Sequence, residues 1–160
     1  MKKRLWSILL TACLLVGLLP TVALAVSGSV NYLNDQGVET TYTGEYTELT
    51  NESPGGTTWT DGWYVVTGDV TIGTEETPQR VTVSGDVRLI LTDGCKLILA
   101  NGLKAGKNLT VYAQSTGNAQ GSMHAVGPSE EQASYLCISV AESFTINGGN
   151  IKAESGDGGV

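Results

Sequence analysis

The feature that most constrains the fold of this 160-residue chain is a recurring apolar–polar–apolar triplet. It appears as Val70-Thr71-Ile72, Val87-Arg88-Leu89, Leu109-Thr110-Val111 and Phe144-Thr145-Ile146, with starts 17, 22 and 35 residues apart. Alternation with a period of two is typical of β-strands that bury one face. Each triplet offers only two inward side chains, so a single unit cannot form a core and several units must stack.

A second pattern follows the triplets. An Asp-Gly or Asn-Gly turn leads into another apolar-x-apolar pair in "DGCKLIL" and "NGGNIKA", with a looser version in "TGNAQGSMHA". The matching apolar positions are Leu97 and Leu99, Met123 and Ala125, and Ile151 and Ala153. We therefore predict a repeating unit of turn, strand, Asx-Gly turn, strand and loop.

Stacked units are expected to align their inward side chains in columns. Each buried aliphatic side chain contributes about 1.5–3 kcal/mol, so the gain grows with the number of units that align. The triplets predict one column of Val70, Val87, Leu109 and Phe144, and a second of Ile72, Leu89, Val111 and Ile146.

The fold class that these patterns favour is all-β, as a parallel β-helix or solenoid. The alternative is an antiparallel β-sandwich, because turns such as "TDGC" and "INGGN" can also close tight hairpins. Ten strands are expected, at residues 63–66, 70–72, 81–83, 87–91, 96–99, 109–113, 122–126, 136–140, 144–146 and 151–153.

Residues 1–25 are predicted to be a secretory signal peptide. Lys2, Lys3 and Arg4 precede an apolar run of about fifteen residues, shorter than the roughly 20 that span a bilayer, and Ala23-Leu24-Ala25 is a cleavage signal. Cleavage leaves six of the nine Lys and Arg residues against 16 Asp and Glu. We therefore expect a secreted, acidic chain that has no further membrane span and does not bind nucleic acid.

The rest of the chain divides into two parts. Residues 26–56 are polar, acidic and rich in Thr and Tyr, and are predicted to supply one or two strands or an N-terminal cover, whereas residues 57–160 hold the coils. Ser129 and Gln132 form a capping-box pattern that predicts one or two helical turns. No polar cap follows the last strand, so we expect an N-terminal piece of a longer solenoid.

The blocks "GWYVVTGDVTI", "RVTVSGDVRLILTDGCKLIL", "GLKAGKNLTVYAQSTG" and "FTINGGNIKAESGDGG" resemble the front of large secreted proteins of Gram-positive, often gut-dwelling, bacteria. The resemblance covers about residues 60–160. It implies a right-handed parallel β-helix and a surface role, because these proteins are usually described as cell-surface or carbohydrate-binding-domain proteins. It implies no particular ligand.

Three aromatic residues are the candidate ligand-binding residues. Trp59, Trp63 and Tyr64 cluster in "TTWTDGWYVV", just before the repeats begin. Sugar-binding surfaces use flat aromatic faces, which combine apolar area with a polar rim. The alternative is that one or both tryptophans cap the open first coil.

Two acidic residues are the candidate metal ligands. Asp69 and Asp86 follow glycine in the related stretches "VVTGDV" and "TVSGDV". In neighbouring coils their backbones would lie about 4.8 Å apart, and the pair could bind Ca²⁺ together with backbone carbonyls. The alternative is that both are ordinary turn residues, and no other cofactor is predicted.

No catalytic residue is predicted. His124 is the single histidine, and the chain contains no H-E-x-x-H, C-x-x-C or G-x-G-x-x-G motif. The predicted function is a non-catalytic surface module for glycan binding, adhesion or structural display, with polysaccharide or a host or cell-wall glycan as partner. The alternative is a pectin lyase- or hydrolase-like enzyme with Asp69, Asp86, Arg80 and Arg88 on one face.

Two cysteines remain after signal cleavage, Cys95 and Cys137. In an oxidising compartment they could form a disulfide. The alternative is that both are small buried apolar residues.

Overall fold

The fold is a parallel β-solenoid of about three turns, with 59% of the described residues in strands. The computed structural model describes residues 25–51, 57–74, 79–127 and 136–155. The predicted signal peptide up to residue 24 and the capping-box segment at 128–135 lie outside these residues. Within them, the one helical element is a single 3-10 turn, Gly117–Ala119.

Fourteen strands occur in the described residues. They are β1 (Ala25–Leu33), β2 (Glu39–Leu49), β3 (Thr58–Trp59), β4 (Gly62–Val66), β5 (Asp69–Ile72), β6 (Val81–Val83), β7 (Val87–Leu91), β8 (Lys96–Leu99), β9 (Leu103–Ala105), β10 (Leu109–Ala113), β11 (Ser122–Val126), β12 (Ile138–Val140), β13 (Phe144–Ile146) and β14 (Asn150–Glu154).

The strands form three sheets that enclose the core. Sheet A has the order β1-β2-β4-β7-β10-β13, sheet B has β3-β6-β9-β12, and sheet C has β5-β8-β11-β14. The chain passes through B, A and C in every turn, and every pairing is parallel except that of β1 with β2. The parallel pairings decide for the solenoid and against the antiparallel sandwich.

The register of sheet A gives the length of each turn. Gly62 aligns with Val87, Val87 with Leu109, and Leu109 with Phe144, so successive turns are 25, 22 and 35 residues long. The solenoid tolerates this irregularity because the three strands of each turn keep their register while the connecting loops absorb the difference. The spacing of 17 residues between Val70 and Val87 is therefore not a turn. It is the step from sheet C to the next strand of sheet A.

The predicted placement of Val70 and Ile72 is wrong for the same reason. Val70 lies in sheet C and stacks on Leu97, and Ile72 stacks on Leu99. The column of Val87, Leu109 and Phe144 is confirmed, as is the column that continues from Leu89. The Asx-Gly pattern predicted the columns of sheet C correctly. The first column contains Leu97, Met123 and Ile151, and the second contains Leu99, Ala125 and Ala153.

The inward side chains fill the solenoid with aliphatic groups. Leu89, Leu97, Leu109 and Val111 are all fully buried. Among the described residues, no charged, amide or hydroxyl-bearing aliphatic side chain is buried. The buried side chains that carry a polar atom are those of Trp59, Tyr64 and Cys95, together with the thioether of Met123. The backbone polar groups are paired between turns, which lets a purely apolar interior form without unsatisfied amides.

A hairpin of β1 and β2 lies over the outer face of sheet A. Its turn is closed by Asn34, whose Oδ1 accepts hydrogen bonds from the Gln36 and Val38 amides. The last three residues of β2 pair with β4 and so join the hairpin to the parallel strands of sheet A. Further back, Val30 packs against the outward side chains Val65 and Ile90. The polar segment predicted as an N-terminal cover thus folds as a strand pair that covers one side of the coils.

The two ends of the solenoid differ. At the N-terminal end the inward side chains of Leu49, Trp59 and Val70 are completely buried. At the C-terminal end Ile146 is 49% exposed, although its register partner Val111 in the turn above is fully buried. Strands β12, β13 and β14 each pair on one side only among the described residues.

Candidate functional site

Two of the three aromatic candidates are interior residues. Trp59 is fully buried and Tyr64 is 6% exposed. Their ring centroids lie 5.4 Å apart, and the Tyr64 hydroxyl accepts a hydrogen bond of 3.0 Å from the Thr60 amide. Neither ring presents a face to solvent, so the prediction that Trp59 and Tyr64 stack on a ligand is wrong. Both fill the first turn; for Trp59 this agrees with the alternative that one or both tryptophans cap the first coil.

The third candidate, Trp63, precedes Tyr64 in β4, and its side chain lies on the outer face of sheet A. It is partly buried under the β1–β2 hairpin and stacks on Tyr42, with ring centroids 4.3 Å apart. Tyr32 and Tyr112 contact it at 5.3 and 5.7 Å, and the Arg88 guanidinium lies 5.6 Å from its ring centroid. Stacked rings and a cation over an aromatic face each contribute about 0.5–1.5 kcal/mol. We call these five side chains the outer aromatic cluster; they dock the hairpin on sheet A.

Sequence reasoning missed the partners of Trp63. Tyr32, Tyr42 and Tyr46 alternate with polar residues along 26–56, which is the signal of a strand with one apolar face. Tyr112 sits at the polar position after an inward valine, where an aromatic residue marks an outer face that is covered rather than exposed. The exposed Arg88 side chain lies at the edge of this cluster.

Asp69 and Asp86 are not neighbours in the solenoid. Asp69 begins β5 in sheet C and aligns with Lys96, whereas Asp86 lies in the turn from sheet B to sheet A. The prediction that stacking brings these two carboxylates together is therefore wrong. The two Gly-Asp stretches look alike but occupy different corners of the same turn.

The true neighbour of Asp86 is Asp61. The Asp86 amide donates to Asp61 Oδ1 at 2.7 Å, and Asn108 Nδ2 donates to Asp86 Oδ1 at 2.8 Å. In the following turns, Lys107 and Glu142 form an ion pair of 2.7 Å. The hydrogen bond to the Glu142 carboxylate is the main reason that the pKa of the Lys107 amine is raised. These hydrogen bonds stitch successive turns at one corner, which is a structural use of the Asp and Asn side chains.

The four residues of the enzyme alternative do not share a face. Asp69 lies on sheet C, Asp86 at the corner of sheets B and A, and Arg88 on the outer side of sheet A. Arg80 lies at the corner before β6, where its guanidinium donates to the Leu103 carbonyl at 3.1 Å and the Leu136 carbonyl at 2.5 Å. Arg80 thus clamps three turns together. No group of three or more His, Cys, Asp or Glu side chains that could hold a metal occurs in the residues that the structure describes.

The single histidine lies beside a carboxylate on sheet C. His124 Nε2 lies 2.7 Å from Glu154 Oε1, and the other oxygen of Glu154 contacts the Lys152 amine. The hydrogen bond from Lys152, followed by the charges of His124 and Lys152, holds the pKa of Glu154 below its usual value. This contact ties the third layer of sheet C to the fourth.

The two cysteines are not paired. Cys95 is buried at the corner between sheets A and C, and burial raises its pKa to about 11. Cys137 lies between sheets C and B, where its thiol donates to the Ala125 carbonyl and burial raises its pKa. Both serve as small packing residues, and neither is the activated thiolate that a reactive site needs.

Comparison with known proteins adds no homologue to this geometry. No family model, curated protein or solved structure matches the chain. A search of the described residues for a helix long and apolar enough to cross a membrane finds none.

Proposed function

We propose that this chain is a non-catalytic module of a secreted or cell-surface protein, with the solenoid acting as a scaffold for structural display or adhesion. The single observation that supports a scaffold best is the use of the aromatic side chains. Trp59 and Tyr64 fill the interior, and Trp63 is stacked against Tyr42 under the hairpin. The side chains suited to stacking on sugars thus stabilise the fold instead.

The outward faces fit a scaffold. Sheet C presents a row of Thr71, Ile98, His124 and Lys152 at aligned positions, and sheet B presents Thr82, Lys104 and Ser139. These rows are short, flat and mixed in chemistry. Adhesion through such a face would rely on many weak contacts repeated along the solenoid.

The proposed location rests on the N-terminal sequence and the charge. The Lys2–Arg4 run, the apolar stretch and Ala23-Leu24-Ala25 support export, and the excess of acidic residues suits an extracellular chain. Protease treatment of intact cells, with detection of the chain in the cell and medium fractions, tests this part. Retention of the uncleaved chain inside the cell would contradict it.

Binding and turnover assays on residues 26–160 test the scaffold proposal. We expect no release of reducing ends from pectin-like substrates. We also expect that Trp63→Ala, where the fold persists, abolishes no glycan binding. Asp86→Asn is the control for the enzyme alternative. Reducing-end release that this substitution abolishes would overturn the scaffold proposal. Each assay is run with Ca²⁺ and with a chelator, because a calcium-dependent melting temperature would reopen the metal hypothesis at a site other than an Asp69–Asp86 pair.

A further inference from the structure

The apolar contacts beneath the β1–β2 hairpin form a cluster separate from the solenoid core. Val30 of the hairpin packs against Val65 and Ile90 on the outer face of sheet A, whereas Val66, the next residue after Val65, belongs to the core cluster. The two clusters lie on opposite faces of one sheet. The outer cluster can therefore be lost by itself, because its loss leaves the columns between the turns intact.

Few backbone contacts join the hairpin to the coils. Among the described residues, its strands pair with the coils only at Thr47–Leu49, the last three residues of β2. The nine pairs between β1 and β2 lie within the hairpin. So do the outer side-chain hydrogen bonds, which join Ser29 to Thr43 and Thr41 to Asn31. Release of the part before this anchored segment would break side-chain contacts with the coils but no strand pairing.

A pair of glycines marks a weak point beside the anchored segment. Gly28 and Gly44 are register partners in the hairpin, and pairing with the coils begins shortly afterwards at Thr47. Glycine has no side chain to pack and keeps the widest choice of backbone conformations, so a glycine pair weakens a strand ladder. The hairpin is therefore expected to bend most easily at these two residues.

Tyr42 braces this weak point and ties it to the coils. Its ring lies over Gly44, because a Cβ atom there would meet the Tyr42 hydroxyl at 2.7 Å, and the hydroxyl donates to the Glu45 carbonyl at 2.9 Å. The same ring stacks on Trp63 of sheet A, with centroids 4.3 Å apart. One side chain thus holds the bend and the docked position together.

We infer that the hairpin is a strap that opens as a unit about the glycine pair while the coils stay folded, with Tyr42 on Trp63 as its latch. Opening uncovers the outer face of sheet A at Val65 and Ile90, and closing hides it again. The inference does not rest on the proposed function, because it concerns only how the hairpin docks on the coils.

Thiol labelling of the whole chain with Val65→Cys tests the inference. Val65 lies under the hairpin and is 2% exposed, and native Cys95, 3% exposed in the core cluster, is the internal control. Peptide mapping distinguishes the label at the two positions. We expect residue 65 to be labelled at least about a hundredfold faster than Cys95. Its rate should hardly change in dilute urea, because opening of the strap exposes little surface.

Two further substitutions, each combined with Val65→Cys, test the latch. Tyr42→Ala should speed the labelling of residue 65 at least about tenfold and leave that of Cys95 unchanged, because it removes the stacked ring but no core side chain. Thr43→Ala is the matched control, since Thr43 is the next residue of β2 and is exposed on the outer face of the hairpin. It should change neither rate.

Equal labelling rates at residues 65 and 95, with the same steep dependence on urea, would overturn the inference, because the hairpin would then open only when the coils unfold. Labelling of residue 65 as fast as in the denatured chain would overturn it too, since the strap would have no closed state. So would a Tyr42→Ala effect that is absent or equal at both positions. Val30→Cys, on the hairpin side of the same contact, keeps the test decisive if Val65→Cys fails to fold.

Discussion

At the scale of single residues, two similar stretches need glycine for different reasons. Gly68 in "VTGDV" has a φ of 83° and open space around the position of a Cβ atom. Gly85 in "VSGDV" has no positive φ, but a Cβ atom there would lie 2.4 Å from the Asp61 amide nitrogen. The first glycine supplies a left-handed backbone and the second lets two turns approach closely.

We therefore predict that Gly68 and Gly85 tolerate alanine and asparagine in opposite orders. Gly68→Ala should lower the free energy of unfolding by about 1–2 kcal/mol because alanine is strained at positive φ, and Gly68→Asn by less. Gly85→Ala should cost about 1–3 kcal/mol through crowding, and Gly85→Asn more. Urea denaturation of the four variants checks this. The same order of alanine and asparagine at both positions would contradict it.

Glu154 gives a prediction about acid. The pKa of its carboxyl is lowered in the folded chain, mainly by the hydrogen bond from Lys152. Its stabilising contribution is therefore complete above the ordinary value near 4.5 and is lost as the pH falls through the lower folded value. We expect wild type to melt above Glu154→Gln at neutral pH, with the difference shrinking on acidification through this range. Glu45→Gln on the hairpin is the control, and a difference that does not change with pH would contradict the prediction.

At the scale of elements, strands were predictable but their sheets were not. Alternation located β6, β7, β8, β10, β11 and β13 with the bounds that the structure shows, because each has apolar residues on its inward face. The assignment of Val70 to the column of Val87 failed because both stretches carry the same local signal but lie in different sheets of successive turns. Strand β9 was missed because two of its three residues, Lys104 and Ala105, are types that strands use less often. Without it the unit had two strands, and the third sheet could not be foreseen.

The candidate site was less predictable than the fold. A tryptophan beside a strand looks the same in sequence whether it faces a ligand, the interior or a covering hairpin. Trp59 and Tyr64 are inward by register, and the cover over Trp63 is supplied by residues some 20–30 positions earlier, Tyr32 and Tyr42. Contacts of this kind depend on how the chain folds back, and no local pattern reports them.

The columns of sheet C give a prediction about packing. Leu97 is fully buried between Val70 and Met123, whereas the adjacent Ile98 points outward and is only partly buried. Leu97→Ala should lower the free energy of unfolding by about 2–5 kcal/mol, because it removes buried methyl groups and leaves a cavity. Ile98→Ala should cost less than about 1 kcal/mol. Equal losses in chemical denaturation would show that the two faces have been assigned incorrectly.

The hairpin gives a prediction about local stability. Trp63→Ala removes the centre of the outer aromatic cluster, so amide hydrogen exchange should accelerate in β1 and the first part of β2. Exchange in β8 and β11 should change little, since these strands lie in sheet C. Trp59→Ala is the contrast, because loss of an interior residue should accelerate exchange in all turns. Unchanged exchange in β1 after Trp63→Ala would mean that the cluster does not hold the hairpin.

At the scale of the whole molecule, the solenoid is asymmetric. Within the described residues, Leu49 and Trp59 of the first layer are fully buried, a hairpin covers one side, and Ile146 of the last layer is 49% exposed. Turns of 25, 22 and 35 residues share one cross-section because length varies only in the loops. Stability in such a stack comes from neighbouring turns, so each layer depends on the one beside it.

The measurement that tests the parallel solenoid most directly is a set of side-chain nuclear Overhauser contacts along the outer face of sheet C. The register predicts contacts between the methyl groups of Thr71 and Ile98, and between Ile98 and the ring of His124. These residues lie 27 and 26 positions apart in the chain, so no local structure can bring them together. Contacts of Thr71 with Arg88 instead, or antiparallel pairing of β5 with β8, would contradict the three-sheet solenoid.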